Sequence, residues 1–361
     1  VQELLGKRLV IFAGKGGVGK TTCSAATAIH MAACGKRTLL VTVDPAKRLE
    51  DSLGVPVGFT ETPIQPNLTA LMLDPGTVVR QHFEERLPQA KVTDHPLFRY
   101  VTEHMPGLNE LMAIGKLNDF RREGRYDCIV VDTAPTGHAL SFLSVPRAME
   151  EIMGDKSLLR WAMRGYAVWQ KVSGAARSMQ NVFRRKEERE DLPPEIDFEK
   201  LFSDIQQEAQ RIREFLTDPE NAALVIVTIP EKLPVEETMD LHAATKELGM
   251  HVHAVVMNKV QPDALGEHAA RFLALEADGA ARTRFVREAA RATGEPEALV
   301  DRMLEATRFG ELRRAMNLAY VEETRSRLPG VQLVEVPLQR EDVQGLKRLA
   351  QFRRLLFPDA A

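Results

Sequence analysis

Short apolar runs alternate with longer stretches of helical periodicity along the 361 residues of this chain. Seven runs predict strands, near 8–13, 38–43, 68–73, 127–131, 223–229, 252–257 and 331–336. They are continuous and rich in Val, Ile and Leu, the pattern of strands buried on both faces of a parallel sheet. The intervals between them are long enough for helices. The pattern therefore predicts an α/β fold with a doubly wound, mostly parallel sheet, whose ligands belong at the carboxyl ends of the strands.

Two intervals, about 75–125 and 139–222, are too long for simple crossovers and predict an inserted α-helical subdomain above the sheet. In the first, Leu97, Val101, Met105, Leu108 and Met112 form an apolar stripe at helical spacing. The second holds an apolar set from Met149 to Phe183 that includes Trp161 and Trp169. Six of the 13 methionines lie between 97 and 183, and Met-rich surfaces suit binding of varied apolar partners. An ordinary helical core gives the same stripe, so both alternatives stand on this pattern. Length alone suggests two domains. The motif residues run from 14 to about 337, which favours one domain over 1–361.

The first strand leads into Gly14-Lys15-Gly16-Gly17-Val18-Gly19-Lys20-Thr21-Thr22. This matches G-x-x-x-x-G-K-T, the phosphate-binding loop. Its glycines let backbone N–H groups wrap a phosphate, and the helix that follows adds the positive end of its dipole. Lys20 is placed to reach the β- and γ-phosphates and Thr21 to bind Mg²⁺. Lys15, directly after the first glycine, is an extra lysine that narrows the class to dimeric ATPases.

Acidic residues follow two further strands. Asp44, in Asp44-Pro45-Ala46, stands where a carboxylate can orient a water attacking the γ-phosphate, although Asp-Pro is also a plain turn signal. Asp132 opens Asp132-Thr133-Ala134-Pro135-Thr136-Gly137-His138 and is placed to hold Mg²⁺ through its water shell. Gly137 is placed to bring a backbone N–H to the γ-phosphate, while His138 is better suited to orienting neighbours than to catalysis. Asn258, at the end of the sixth predicted strand, carries an amide able to donate to and accept from a purine edge.

Composition removes several classes. The chain is 44% hydrophobic with a net charge of −3, which gives no general drive toward nucleic acid. The mixed charges of 184–191 nearly cancel and read as a solvated loop. The sequence has no apolar run of transmembrane length, and its first residues lead straight into a strand rather than reading as a signal peptide. Three scattered cysteines, Cys23, Cys34 and Cys128, lack metal spacing and read as buried thiols of a reducing cytoplasm.

Taken together, the loop at 14–22, Asp44-Pro45-Ala46, the 132–138 string and Asn258-Lys259-Val260 resemble the arsenite-pump and tail-anchored-protein-targeting ATPase family. The resemblance runs in order over essentially the whole chain, and the 132–138 string is its most specific part. It implies that Lys15 reaches across a homodimer to the partner's nucleotide. It implies that Lys20 and Thr21 hold phosphate and Mg²⁺, that Asp44 activates water, and that Asp132 and Gly137 form the second switch. It further implies that Asn258 contacts adenine, with the Val336-Pro337-Leu338 turn closing on the other side of the base.

The departures narrow this. Lys47 and Arg48 replace the usual His and Asn after Asp-Pro-Ala. Residues 259–361 hold no cysteine, so the intersubunit zinc of some members is not expected. None of the three cysteines falls in the helical intervals, a poor start for a metalloid site. The sequence thus predicts a cytoplasmic, homodimeric ATP hydrolase using ATP and Mg²⁺, whose closure controls an apolar client-binding surface for tail-anchored or other hydrophobic proteins. A membrane receptor is compatible with that role, and nucleic acid is not expected as a partner. The alternatives are the energising subunit of an arsenite or anion efflux pump, and a positioning ATPase on membrane or DNA. The latter draws on the basic-apolar stretch Val343–Phe357, which more simply packs on the sheet.

Overall fold

Strand β1 (Leu9–Ala13) lies inside an eight-stranded sheet, in a computed structural model that describes residues 2–43, 48–86, 108–133, 143–148 and 198–358. The other strands are β2 (Thr38–Thr42), β3 (Thr62–Gln65), β4 (Leu68–Met72), β5 (Cys128–Asp132), β6 (Ala222–Thr228), β7 (Val252–Val260) and β8 (Gln332–Pro337). Their order is β3-β4-β2-β5-β1-β6-β7-β8. All neighbours pair in parallel except β3 and β4. Every residue of β1, β2, β5 and β6 is buried, as continuous apolar runs require.

All seven predicted strands form. The eighth, β3, was not expected. It is a short, half-exposed edge strand with Pro63 inside it and a register break between Pro63 and Gln65. Proline is tolerated there because an edge strand need not donate on both sides. Asn67, with φ 63°, supplies the left-handed residue in the hairpin to β4.

Helix α1 (Lys20–Ala33) covers one face of the sheet, and α2 (Arg48–Leu53) follows β2. The other face is covered by α3 (Pro75–Arg86), α4 (Leu108–Arg122), α5 (Phe198–Thr217) and α6 (Lys232–Glu247). From Leu111 to Leu117, α4 is buried everywhere but the half-buried Lys116. Leu111, Met112, Ile114 and Leu117 share one core with Leu9, Ile11, Val41 and Val131 of the sheet. Met112, the last residue of the predicted stripe, is therefore core. Leu97, Val101, Met105 and the whole set from Met149 to Phe183 lie outside the described residues.

Three helices fill the β7–β8 connection: α7 (Ala269–Ala277), α8 (Gly279–Thr293) and α9 (Glu297–Arg327). They share a small core of Phe272, Val286, Ala290, Val300 and Leu304. Asp278 caps α8, its Oδ1 accepting from the N–H groups of Ala280 and Ala281 at 2.9 and 3.0 Å. The later part of α9 returns to the sheet, where Val321 packs with Met257 and Val260.

The last helix, α10 (Leu346–Leu356), belongs to the core around α1 through Leu349, Phe352 and Leu356. The Phe357 ring stacks on His30 at 4.0 Å. Lys347, Arg348 and Arg354 point to solvent, so this basic-apolar stretch packs as a covering helix. Among the described residues, no helix is long and apolar enough to cross a membrane.

One expectation about the cysteines is corrected. Cys23 and Cys128 are buried, but Cys34 is exposed because α1 ends there and Gly35 (φ 83°) turns the chain away. Burial pushes the Cys23 and Cys128 thiols up to about 12, helped at Cys23 by the charge of Asp132. Near neutral pH these two are inaccessible, protonated thiols, and thiolate is the reactive form. A maleimide should therefore modify a single thiol in the native chain and none in Cys34→Ser. Intact-mass measurement of two or more adducts on the native chain would contradict this packing.

Candidate phosphate-binding site

The turn from β1 to α1 is shaped by what surrounds it. Gly14 has φ 145°, and a Cβ there would lie 2.1 Å from the Val227 carbonyl oxygen of β6. Gly19 has φ 100°, and a Cβ there would meet the Asn258 amide nitrogen at 2.3 Å. Only glycine fits either position, because the neighbours are a strand backbone and a buried side chain. Gly19 starts α1 without any side-chain cap. The first-turn N–H groups and the positive end of the helix are thus left to an anion.

Around this turn opens a cavity of about 610 Å³. It is lined by Gly16, Gly17, Gly19, Lys20, Thr21 and Thr22 of the loop, by Asn258 and Lys259, by Arg48, Asp51 and Ser52 of α2, and by the 338–344 segment. The volume suits a ligand of nucleotide size. Three cations, Lys20, Arg48 and Lys259, face three carboxylates, Asp51, Glu341 and Asp342, along its walls.

Three side chains of the site are held by partners within the protein. The Lys20 side chain is buried, and its Nζ donates to the Lys15 carbonyl at 2.9 Å. Thr21 Oγ1 donates to Asp132 Oδ2 at 2.7 Å, bringing together the two residues expected near Mg²⁺. Asp132 ends β5 and is 1% exposed. Its strand is pinned on both sides: Thr133 Oγ1 donates to the Phe12 carbonyl at 2.8 Å, and Val43 N–H donates to the Asp132 carbonyl at 3.2 Å. Asn258 Nδ2 donates to the carbonyl of the buried Val18 at 2.8 Å. Its Oδ1 accepts from the Lys259 N–H at 2.9 Å. The amide keeps one N–H and one lone pair for a ligand.

The remaining predicted positions divide. Pro337 ends β8, and the Leu338 N–H after it donates to the Val260 carbonyl at 2.8 Å. Leu338 and Gln339 line the cavity, so the turn predicted near the base does border it. Lys15 is turned to a different partner. Its Nζ pairs with Glu237 Oε1 of α6 at 2.8 Å. The other oxygen of that carboxylate, Oε2, is buried with no hydrogen-bond partner among the described residues. Asp44 and Gly137 lie outside the described residues. Glu237 was not singled out from sequence, since nothing local marks a helix-surface Glu as facing the loop, and Lys259 was noted only as part of the Asn258-Lys259-Val260 string, with no role of its own. Arg48 carried a signal, as a departure from the family pattern.

The Gly14 geometry yields a stability test. Gly14→Ala forces a methyl into a strand carbonyl, and overpacking of this kind should lower unfolding free energy by about 3 kcal/mol. Urea denaturation measures it, and a loss under about 1 kcal/mol would mean that the loop does not sit against β6 as described.

Comparison with known proteins finds that residues 7–288 match the family described as "Anion-transporting ATPase". A Chlorobaculum tepidum protein named "Putative arsenical pump-driving ATPase" is 31% identical over 261 residues, which is 70% of this chain and 61% of that protein. The Arabidopsis thaliana protein "ATPase GET3B" is 31% identical over 71% of this chain and 65% of its own length. An Aquifex aeolicus "Putative arsenical pump-driving ATPase 1" is 26% identical over 98% of this chain and 79% of its length. The chain therefore spans under two thirds of the Chlorobaculum and Arabidopsis proteins it matches.

Proposed function

The chain belongs to the anion-transporting ATPase family, and we propose that it is a Mg²⁺-dependent ATP hydrolase that works as a homodimer in the cytoplasm. In this proposal ATP closes two copies across their phosphate loops. Closure then governs an apolar helical surface that holds or targets tail-anchored and other hydrophobic proteins, by way of a membrane receptor where one exists.

The observation that carries the ATPase reading is the uncapped start of α1 above the Thr21–Asp132 pair. Two hard oxygens at the foot of a phosphate site fit Mg²⁺, which takes few protein ligands and keeps phosphate and water. Mg²⁺ held by Thr21 and Asp132 would supply neutralisation of phosphate charge there. Lys20 exchanges the Lys15 carbonyl for phosphate oxygens, a stronger charge-assisted bond, with little movement of a side chain already at the loop. Asp44 is assigned to orienting the attacking water and Gly137 to sensing the γ-phosphate, both on sequence grounds. Asn258 and the 337–339 turn are assigned to the base.

Support for the dimer comes from Lys15, which is held on α6 and does not line its own cavity. Support for an apolar client is the Met- and Trp-rich set from Met149 to Phe183. The pump alternative draws on relatives' names. Its chemistry would need soft ligands, and the cysteines here are three free thiols, two of them buried.

The kinetic expectations are specific. Lys20→Ala and Lys15→Ala should each cut ATP turnover by about 10³-fold, the scale of losing a charge on the transferring phosphoryl group. Only Lys20→Ala should also lose nucleotide binding. Asp44→Asn should bind ATP yet turn it over about 10²-fold slower or worse. Full activity in Asp44→Asn would remove that residue from water activation, and EDTA-resistant turnover would remove Mg²⁺.

The client role is tested by co-expression with a reporter ending in one transmembrane helix, followed by size exclusion with light scattering, with and without ATP. A complex of two chains and one reporter, lost when apolar residues of the Met149–Phe183 set are made polar, is the expected result. Aggregated reporter beside unliganded protein, with turnover stimulated by arsenite, would favour the pump reading.

A further inference from the structure

The pairing of β7 with β8 shifts register between Met257 and Val260. Within that irregularity Lys259 adopts a left-handed backbone, φ 59°. Such a conformation is unfavourable for a long side chain, and it persists only where surrounding contacts hold it. Irregularities of this kind re-aim side chains beside functional sites. Here the re-aimed pair meets two consecutive carbonyls of the phosphate loop. Asn258 Nδ2 donates to Val18 at 2.8 Å, and Lys259 Nζ donates to Gly17 at 3.0 Å. The Lys259 backbone N–H donates to Asn258 Oδ1, which holds the Asn258 amide against the irregular backbone. Both residues line the nucleotide-sized cavity.

We propose that Lys259 is a positioning residue for nucleotide, acting through Gly17: it holds the open middle of the phosphate loop in its anion-binding shape from the side where the base sits. This rests on the nucleotide reading above and deepens it. Gly17 has no side chain to anchor it and is exposed, so among the described residues its carbonyl is held in one orientation only by the Lys259 ammonium, in competition with water. A charged ammonium is a stronger donor for that purpose than a neutral group. The strained backbone at 259 is what brings that ammonium within reach, because a regular strand would send successive side chains to opposite faces.

The test uses full-length wild type, Lys259→Gly and Lys259→Arg, with fluorescent mant-ATP and mant-ADP binding, ATP turnover, and the unfolding midpoint of the ligand-free protein. Glycine accepts the left-handed backbone without strain, so it removes the ammonium while sparing the fold. Lys259→Gly should weaken both mant-nucleotides about tenfold and raise KM by a like factor, the size of one lost charged hydrogen bond. Its kcat should stay within about twofold of wild type. Its unfolding midpoint should not fall by more than about 2 °C, well under the 4–8 °C scale of a 1 kcal/mol loss in small domains. Lys259→Arg, which keeps a charged donor, should recover affinity to within about threefold.

Wild-type affinity in Lys259→Gly overturns the proposal alone. So does a fall in kcat at unchanged KM. A loss of affinity that follows a lowered midpoint and is not recovered by Arg makes Lys259 a structural tether, which also overturns it. Failure of wild type itself to bind mant-ATP removes the nucleotide reading, and the proposal with it.

Discussion

The parallel pairing of β1 with β5 on one side and β6 on the other is the constraint from which the site follows. Phe12 stands level with Asp132, and Ala13 with Ile226. The chain therefore leaves β1 between two strand ends, with the Val227 backbone against Gly14 and the Asp132 carboxylate under Thr21. These strands are apolar on both faces, so hydrophobic pattern alone would resist a one-residue slip only weakly. The polar pins at the carboxyl edge do the specifying. Thr133 Oγ1 on the Phe12 carbonyl and Val43 N–H on the Asp132 carbonyl hold β5 against β1 and β2 at the level the site needs.

Local rules hold through the body of the sheet and break at this edge. Glycines with φ 145° and 100°, a lysine with φ 59°, and buried Lys20, Asp132 and Asn258 all gather within one turn of the phosphate loop. That concentration is what a functional site produces in an otherwise consistent structure. Lys20, Thr21 and Asn258 each have a partner within the protein, while Ser52 Oγ at the cavity wall is buried with none among the described residues. Lys20 bonds a carbonyl, Thr21 bonds Asp132, and Asn258 bonds Val18. A phosphate would replace the neutral acceptor of Lys20 and meet the uncapped N–H groups at the helix start, and the gain comes from charge assistance and that open start.

Legibility in the sequence followed the range of the interactions. Six of the predicted strands could be read because burial on both faces leaves Val, Ile and Leu runs, and β8, at the sheet's other edge, kept a short Leu-Val run although only Val336 in it is buried. Strand β3 could not, because an edge strand with one buried neighbour and a proline leaves no such run. The loop at 14–22, Asp132 and Asn258 were legible as residue types at strand ends. The fixing partners were not: Glu237 lies 222 residues from Lys15, and Lys259 lies 242 residues from Gly17. Cys34 was misread because burial of a helix residue depends on where the helix ends relative to the sheet, which a small apolar side chain does not announce. The stripe at 97–112 shows the same limit from the other side. Met112 carries the pattern of a binding groove and is core, because α4 is enclosed between the sheet and α3 and α5.

The Lys15–Glu237 pair bears on how a closing dimer would be timed. Both side chains are more than a third exposed, at 38% and 37%. A pair this open is worth only about 0.5 kcal/mol, since water screens it and holding two long side chains costs entropy. It is thus too weak to lock Lys15 in place. A triphosphate presented by a second copy offers a far stronger acceptor, and the exchange costs little. The vacated Glu237 side chain is 37% exposed, so its charge keeps some contact with water although Oε2 is buried. In the proposed cycle the weak internal pair makes Lys15 available without making it free, which keeps closure dependent on nucleotide in the partner.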